Sequence, residues 1–345
     1  GDDKIGQIDI NGMDTEIAET SAIPKTTKVG CYADSKAYKF ADTNKYLIAL
    51  FVGFDADGVT DVKKDYQSSE TIFTVAFGPN IEKISDAAFR NCSNLSEIWI
   101  GGRDGETKLR EIGNEAFLGC SELEKVVVSD YDNKLDVIGD KAFAKCTSLV
   151  SVDMPNTPIL SSIGSEAFNE CSALSEILVY NPNCKISSNV NTFNKATTLK
   201  GWSKSTIHDF ANTNDRTFSK IGASYQIIFN KAEGVEGTQA LYVYNKMILP
   251  DIEIPVRTGF TFKGYKNGDT EYYETGKCLI SGEFAITDDL IGDNAPKAVW
   301  SENKYNIVYS SNGGTGEMDE VENVLYTENV TIAKNVYEKA GYTFT

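Results

Sequence analysis

The stretch Ile84-Ser-Asp-Ala-Ala-Phe-Arg-Asn-Cys-Ser-Asn-Leu-Ser-Glu-Ile-Trp-Ile100 carries a pattern that is written four times along the chain. Aligning Phe89, Phe117, Phe143 and Phe168 also aligns Cys92, Cys120, Cys146 and Cys171, and with them Leu95, Leu123, Leu149 and Leu174. Successive copies are 28, 26 and 25 residues apart. A period of this size marks a solenoid, because one copy cannot bury its own apolar face and must stack on the next. In the second copy the apolar register is Leu109, Ile112, Ala116, Phe117, Cys120, Leu123, Val126 and Val128, and every counterpart in the other three is apolar. Leu-x-x-Ile-x-Ile closes each copy as a strand of period two, and Ala-Phe-x-x-Cys reads as one short helical turn that drives the Phe inward. Ile112-Gly113, Ile138-Gly139 and Ile163-Gly164 read as turns, replaced by Ile84-Ser85 in the first copy. Burying each Phe contributes about 1.5–3 kcal/mol.

Working outward, a fifth copy keeps Phe193 and Leu199 but has Ala196 in the Cys place, Ser188 in the Ile place and Trp202 in its strand. An atypical last copy is what a stack needs in order to stop. Ser205-Thr-Ile-His-Asp-Phe-Ala211 follows as a short amphipathic helix, capped by Ser205 or Thr206, with Ile207, Phe210 and Ala211 on its covering face. Upstream, 71–77 alternates and reads as the first strand of the stack. A mixed helical pattern over 36–46 and a buried strand over 46–54 precede it and are expected to cover the open end of the core. After Gly222 the period is lost. Strand-like runs at 225–229, 241–244, 259–265 and 298–300 form a different unit, which starts again at 305–309 and 311–315. The fold class expected is mainly β with short helices.

Composition narrows the chemistry. The chain has 345 residues, too many for one compact core, and a formal net charge of -17. No dense basic stripe exists for a phosphate backbone, so nucleic acid is excluded as a partner. No apolar run reaches the ~18 residues that crossing a membrane as a helix requires. The repeat claims four of seven cysteines as small interior hydrophobes, leaving Cys31, Cys184 and Cys278. Without a Cys-x-x-Cys pair there is no metal-like spacing. Asp55-Ala-Asp57-Gly58 with Asp61 lacks the ligand spacing of a calcium loop and reads as a polar turn. The one histidine, His208, lies on the capping helix, which leaves no second group for a triad or a zinc site. No phosphate loop or dinucleotide fingerprint occurs. Neither a catalytic residue, a cofactor nor a metal is expected, and an enzyme acting on polysaccharide through a carboxylate pair is the weakest reading.

The copies 84–92 and 163–171, each followed by Ser-x-Leu-x-x-Ile, resemble the BspA-like leucine-rich repeat, and 203–211 resembles the terminal cap of that family. Residues 223–301 and 302–345 resemble Listeria-Bacteroides (internalin B-type) repeats, small β-grasp-like modules, with Tyr265 where that family usually has Trp. The domains expected are therefore 1–70 (N-terminal segment and solenoid cap), 71–222 (repeats and cap helix), 223–301 (first module) and 302–345 (start of a second module, with the polypeptide continuing). The resemblance implies a secreted or cell-surface bacterial protein, its signal peptide removed. It would act as an adhesin-like monomer that binds a protein or glycan of host or neighbouring cells, with the modules as a stalk. A structural spacer presenting another domain is the alternative.

Where such a protein binds can be read from the closing strands, in which residues between inward positions face out. One outward column is Glu97, Lys125, Ser151 and Glu176; the next is Trp99, Val127, Asp153 and Leu178, with Tyr131 and Tyr180 just beyond the strands. Trp, Val and Leu on an outer sheet face mark either a partner surface or a surface covered by a neighbouring loop or by the N-terminal segment.

Overall fold

The computed structural model describes residues 7–10, 23–24, 26–33, 35–52, 61–62, 66–101, 107–128, 134–153 and 159–343. The chain divides into two compact units, Gly1–Ser224 and Tyr225–Thr345. It is mainly β, with two short α-helices among the described residues.

The first unit opens with β1 (Gln7–Ile10), β2 (Lys28–Tyr32), α1 (Lys36–Thr43), β3 (Leu47–Val52), β4 (Asp61–Val62) and β5 (Ile72–Phe77). The repeat proper then alternates short and longer strands: β6 (Lys83–Ile84), β7 (Glu97–Ile100), β8 (Glu111–Ile112), β9 (Lys125–Val128), β10 (Val137–Ile138) and β11 (Ser151–Asp153). It ends with β12 (Ser162–Ile163), β13 (Glu176–Leu178), β14 (Lys185–Ile186), β15 (Thr198–Trp202), α2 (Thr206–Thr213) and β16 (Phe218–Gly222). A long parallel sheet runs β1-β2-β3-β5-β7-β9-β11, and β13-β15-β16 forms a further parallel trio. A narrow parallel sheet, β14-β12-β10-β8-β6-β4, is made of the two-residue strands.

The repeated phenylalanines stack as a ladder. Centroids of Phe89, Phe117, Phe143, Phe168 and Phe193 are separated in turn by 5.4, 5.3, 5.4 and 5.9 Å, with ring planes within 11° of parallel. Tyr66 adds a rung before Phe89 at 5.1 Å. Both ends are closed edge-on, by Tyr38 of α1 against Tyr66 at 5.9 Å and by Phe210 of α2 against Phe193 at 5.4 Å. The cysteines lie beside this ladder, fully buried, and their Sγ atoms donate along it: Cys120 to Phe89 O at 3.1 Å, Cys146 to Phe117 O at 3.2 Å and Cys171 to Phe143 O at 3.1 Å. Burial pushes the thiols of Cys31, Cys171 and Cys184 up to about 12, so they stay protonated at neutral pH.

Three local expectations are corrected. The Ala-Phe-x-x-Cys segment is a chain of tight turns and not a helical one. Ala87 and Asn91, Glu115 and Gly119, and Lys141 and Lys145 all have positive φ. That alternation aims the N–H groups of Ala87, Phe89 and Asn91 at the carbonyls of Asn114, Ala116 and Leu118 in the next copy, at 2.7–2.8 Å. A helical turn would aim them back into their own copy. Secondly, Gly113, Gly139 and Gly164 lie just before the turns and not in them. They serve a close approach: a Cβ on Gly139 would lie 2.7 Å from the backbone of Gly113 and Asn114 in the preceding copy. Thirdly, Ser188 does not take the Ile place of the fifth copy. Ile186 does, pairing with Ile163 in the narrow sheet, and the 3-10 turn Val190–Thr192 absorbs the extra residues before Phe193.

The parallel sheet also extends further towards the N-terminus than the strand at 71–77, since β1, β2 and β3 pair in register with it. In the second unit β17 (Tyr225–Ile228) and β18 (Ala240–Val243) form an antiparallel pair. They are followed by β19 (Phe260–Asn267), β20 (Thr270–Glu274), β21 (Lys277–Cys278) and β22 (Lys297–Glu302), arranged β21-β20-β19-β22. Ile227, Phe229, Phe262, Tyr265 and Tyr273 form its core. The hairpin β23 (Lys304–Ile307) and β24 (Val321–Leu325) follows.

Candidate functional site

Side chains of the long sheet alternate between the ring ladder and the outer face. Register places Glu97 beside Lys125 and Ser151, and Trp99 beside Val127 and Asp153, as the alternation of sequence implies. Trp99 is 43% exposed and Val127 is half-buried. The indole does not swing freely: its Nε1 donates to Glu97 Oε2 at 3.2 Å, and the Lys125 ammonium lies 6.0 Å from the ring centroid. With its N–H engaged by its own strand, the indole offers a partner its flat face.

Further along, Glu176 pairs with Thr198 in register and forms an ion pair with Lys200 at 3.0 Å; Leu178, half-buried, lies opposite Lys200. Tyr180 meets Trp202 edge-on at 5.5 Å, and its carbonyl accepts the Trp202 Nε1 at 2.8 Å. Tyr131 lies outside the described residues, as do Asp55, Asp57 and Gly58 of the acidic turn. Glu97, Trp99, Lys125 and Val127 therefore form one patch, while Glu176 and Leu178 belong to the sheet that begins at β13 and Tyr180 lies just beyond that strand.

Upstream of Trp99 the same column continues through residues the sequence reading did not single out. Ala76 pairs with Trp99, Phe51 with Ala76, and Tyr32 with Phe51. The rings of Tyr32 and Phe51 are 6.0 Å apart. Tyr32, Phe51, Ala76, Trp99 and Val127 thus form one apolar row across five neighbouring strands. At ~4.8 Å per strand it is about 19 Å long.

A second surface is the groove over the tight turns, lined by Asp86, Asn114, Asp140 and their neighbours. Its polar atoms serve the stack. Asp86 Oδ1 accepts the Asn114 N–H at 2.9 Å, Asn114 Oδ1 that of Asp140 at 2.8 Å, and Asp140 Oδ1 that of Ser165 at 2.7 Å. Arg90 pairs with Glu115 at 2.7 Å, and Lys141 with Glu166 at 3.8 Å. Among the described residues no group of three His, Cys, Asp or Glu side chains is placed to hold a metal ion, and no helix is long and apolar enough to cross a membrane. His208 stacks on Phe218 at 4.3 Å and accepts the Lys204 N–H through Nδ1, a packing role on the capping helix.

A continuous ladder of one strand, one tight turn and one short strand per copy, closed by a helix, defines the leucine-rich-repeat solenoids. The chain belongs to the BspA type leucine-rich repeat family, which it matches in six copies over residues 60–200 and 110–237, together just over half of its length. Among solved structures it is similar to a leucine-rich repeat protein of T. pallidum, with 22% identity, 51% of this chain and 87% of that one covered, and a TM-score of 0.35. It is also similar to one from Bacteroides ovatus, with 19% identity, 64% and 55% covered, and a TM-score of 0.31. At these values the assignment rests on the family match. No curated protein matches the chain.

Proposed function

We propose that the first unit is a recognition scaffold that binds a protein or glycan of host or neighbouring cells through the outer face of its longer parallel strands, with Trp99 at the centre of the contact. The observation that carries this reading is the apolar row from Tyr32 to Val127, with a large, oriented and exposed indole within it. Exposed Trp anchors of this kind dominate binding energy where a partner seats on them. On this reading the protein is secreted and held at a bacterial surface as a monomer. The second unit, read as internalin B-type modules, serves as its stalk. Glu97 and Lys125 contribute polar contacts at the rim of Trp99, where rim charges tune on-rate more than affinity.

The experiment is a screen of the intact chain against extracellular-matrix proteins and an immobilised glycan array, followed by Trp99→Ala and Leu178→Ala. Loss of the indole should weaken the bound partner about 30-fold, equivalent to roughly 2 kcal/mol. Binding left unchanged by both substitutions would place the contact elsewhere and sink the reading.

A further inference from the structure

Two stretches of the first unit share residues at one constant offset. Thr27, Ser35, Phe40, Ala41, Thr43 and Asn44 recur as Thr197, Ser205, Phe210, Ala211, Thr213 and Asn214. The matching extends well beyond identity. Ser35 caps α1 by accepting the Tyr38 N–H, and Ser205 caps α2 by accepting that of His208. Asn44 and Asn214 close the helices by donating Nδ2 to Phe40 O and Phe210 O, at 2.9 and 2.8 Å. Lys45 and Asp215 follow with left-handed backbones, φ 57° and 51°. Next, Tyr46 reaches back to Ile23 O at 2.9 Å, and Arg216 to Phe193 O at 3.3 Å. Each helix joins two parallel strands in the same register, Val29 to Ile48 and Leu199 to Phe218, Cys31 to Leu50 and Gly201 to Lys220. The family match begins at residue 60 and leaves the first of these stretches out.

The two stretches differ on one side only. The outer edge of β3 carries β5, with Ile48 N–H donating to Thr71 O at 2.7 Å and Leu50 paired with Val75. β16 is the last strand of its sheet. Where α1 sends Tyr38 edge-on to the next rung, α2 has His208, stacked on Phe218 of its own following strand. Leu50 is fully buried, whereas its counterpart Lys220 is exposed. β16 also ends in a bulge, where Gly222 fits against Trp202: a Cβ there would lie 2.6 Å from the indole.

We propose that 23–50 and 193–220 are one duplicated terminal unit, and that its second strand decides whether the unit ends the stack or passes it on. With Ile48 and Leu50 inward, the unit is a joint that carries the next rung. With Lys220 in the place of Leu50, and a bulge behind it, the unit is an end. A further rung would have to bury an ammonium group against its apolar core, which is strongly unfavourable. An inward charge and a bulge are also the devices that keep a sheet edge from recruiting strands.

The test transplants β3 onto β16 in the intact chain by W202Y, T217L, F218I, S219A, K220L, I221F and G222V. A companion variant has the same changes except at Lys220. Sedimentation velocity over a hundredfold concentration range should show the first variant associating towards twice the parent mass, while the companion sediments as the parent does. A transplant that sediments as the parent does, or a companion that associates equally, overturns the proposal. Hydrogen exchange on the unaltered protein guards against misfolded variants. The Ile48 and Leu50 amides should be protected by orders of magnitude, and those of Phe218 and Lys220 should exchange at nearly unfolded rates. Equal protection of the two pairs contradicts the assignment of β16 as an unpaired end.

Discussion

Replacing Phe143 by Ala is the sharpest probe of the solenoid. Phe143 is fully buried and stacked on both faces, against Phe117 at 5.3 Å and Phe168 at 5.4 Å. Removing the ring forfeits about 1.5–3 kcal/mol of transfer free energy and two aromatic contacts worth about 0.5–1.5 kcal/mol each. The sum, roughly 2.5–6 kcal/mol, agrees with the ~3–5 kcal/mol typical of a buried Phe→Ala change. Position adds a second signature. A solenoid holds together by nearest-neighbour interfaces, so weakening the centre of the ladder should uncouple the rungs before it from those after it. Urea unfolding followed by far-UV circular dichroism should therefore show a lower midpoint and also a broader transition with a smaller slope. Coupling to Phe117→Ala should be non-additive, because the two rings share an interface. A loss below about 1 kcal/mol with an unchanged slope would mean that the rings pack without holding adjacent copies together.

Three further outcomes are expected of the packing described above. Gly139→Ala should destabilise by more than about 2 kcal/mol in the same urea assay, because its Cβ would meet the Gly113 and Asn114 backbone and only a shift of the stack relieves that contact. Tyr265→Phe should raise the thermal midpoint of the second unit, with a gain of about 1 kcal/mol, because its buried hydroxyl has no hydrogen-bond partner among the described residues; a lower midpoint would show that the hydroxyl is satisfied in solution. Stability should fall as pH rises from about 9 towards 12: the buried thiols of Cys31, Cys171 and Cys184 hold their protons to about 12 when folded and release them near 9 when unfolded, so the unfolded state binds fewer protons across that window. Each thiol contributes a slope of at most about 1.4 kcal/mol per pH unit, and the triple Cys→Ala variant should flatten the urea midpoint measured from pH 8 to 10.5.

The spacing of four phenylalanines was enough to show a stack, its inward residues and the outer position of Trp99, because strand alternation converts directly into sides of a sheet. What the spacing could not show is how the turn residues are bonded. Ala87, Phe89 and Asn91 give their N–H groups to another copy, and a local pattern such as Ala-Phe-x-x-Cys carries no sign of that. The helix over 36–46 and the strand over 46–54 were legible and stand as α1 and β3, but the place of the upstream strands in the outer row escaped for a related reason. The segments leading into β2 and β3 carry no Phe-x-x-Cys, and Tyr66 stands for Phe in a rung that has no Cys, so Tyr32 and Phe51 could not be aligned with Trp99. Their signal lies instead in the likeness of 23–50 to 193–220, which shows only when the capping helix is compared with the N-terminal one. In the fifth copy a fixed spacing misled, since Ile186 keeps its pairing and the 3-10 turn takes up the difference.

The left-handed residues of the tight turns have a consequence for how such a chain can change in length. Because Glu115, Phe117 and Gly119 hand their N–H groups forward to Asp140, Ala142 and Ala144, as the turn before hands its own to Asn114, Ala116 and Leu118, one whole copy can be added or removed with every donor still meeting an acceptor. A fraction of a copy cannot, since it would strand buried donors. The outer face therefore grows or shrinks in quanta of one strand, about 4.8 Å at a time. Its reach across a partner is set by counting copies, while its chemistry is set separately by the few outward residues on which the copies differ.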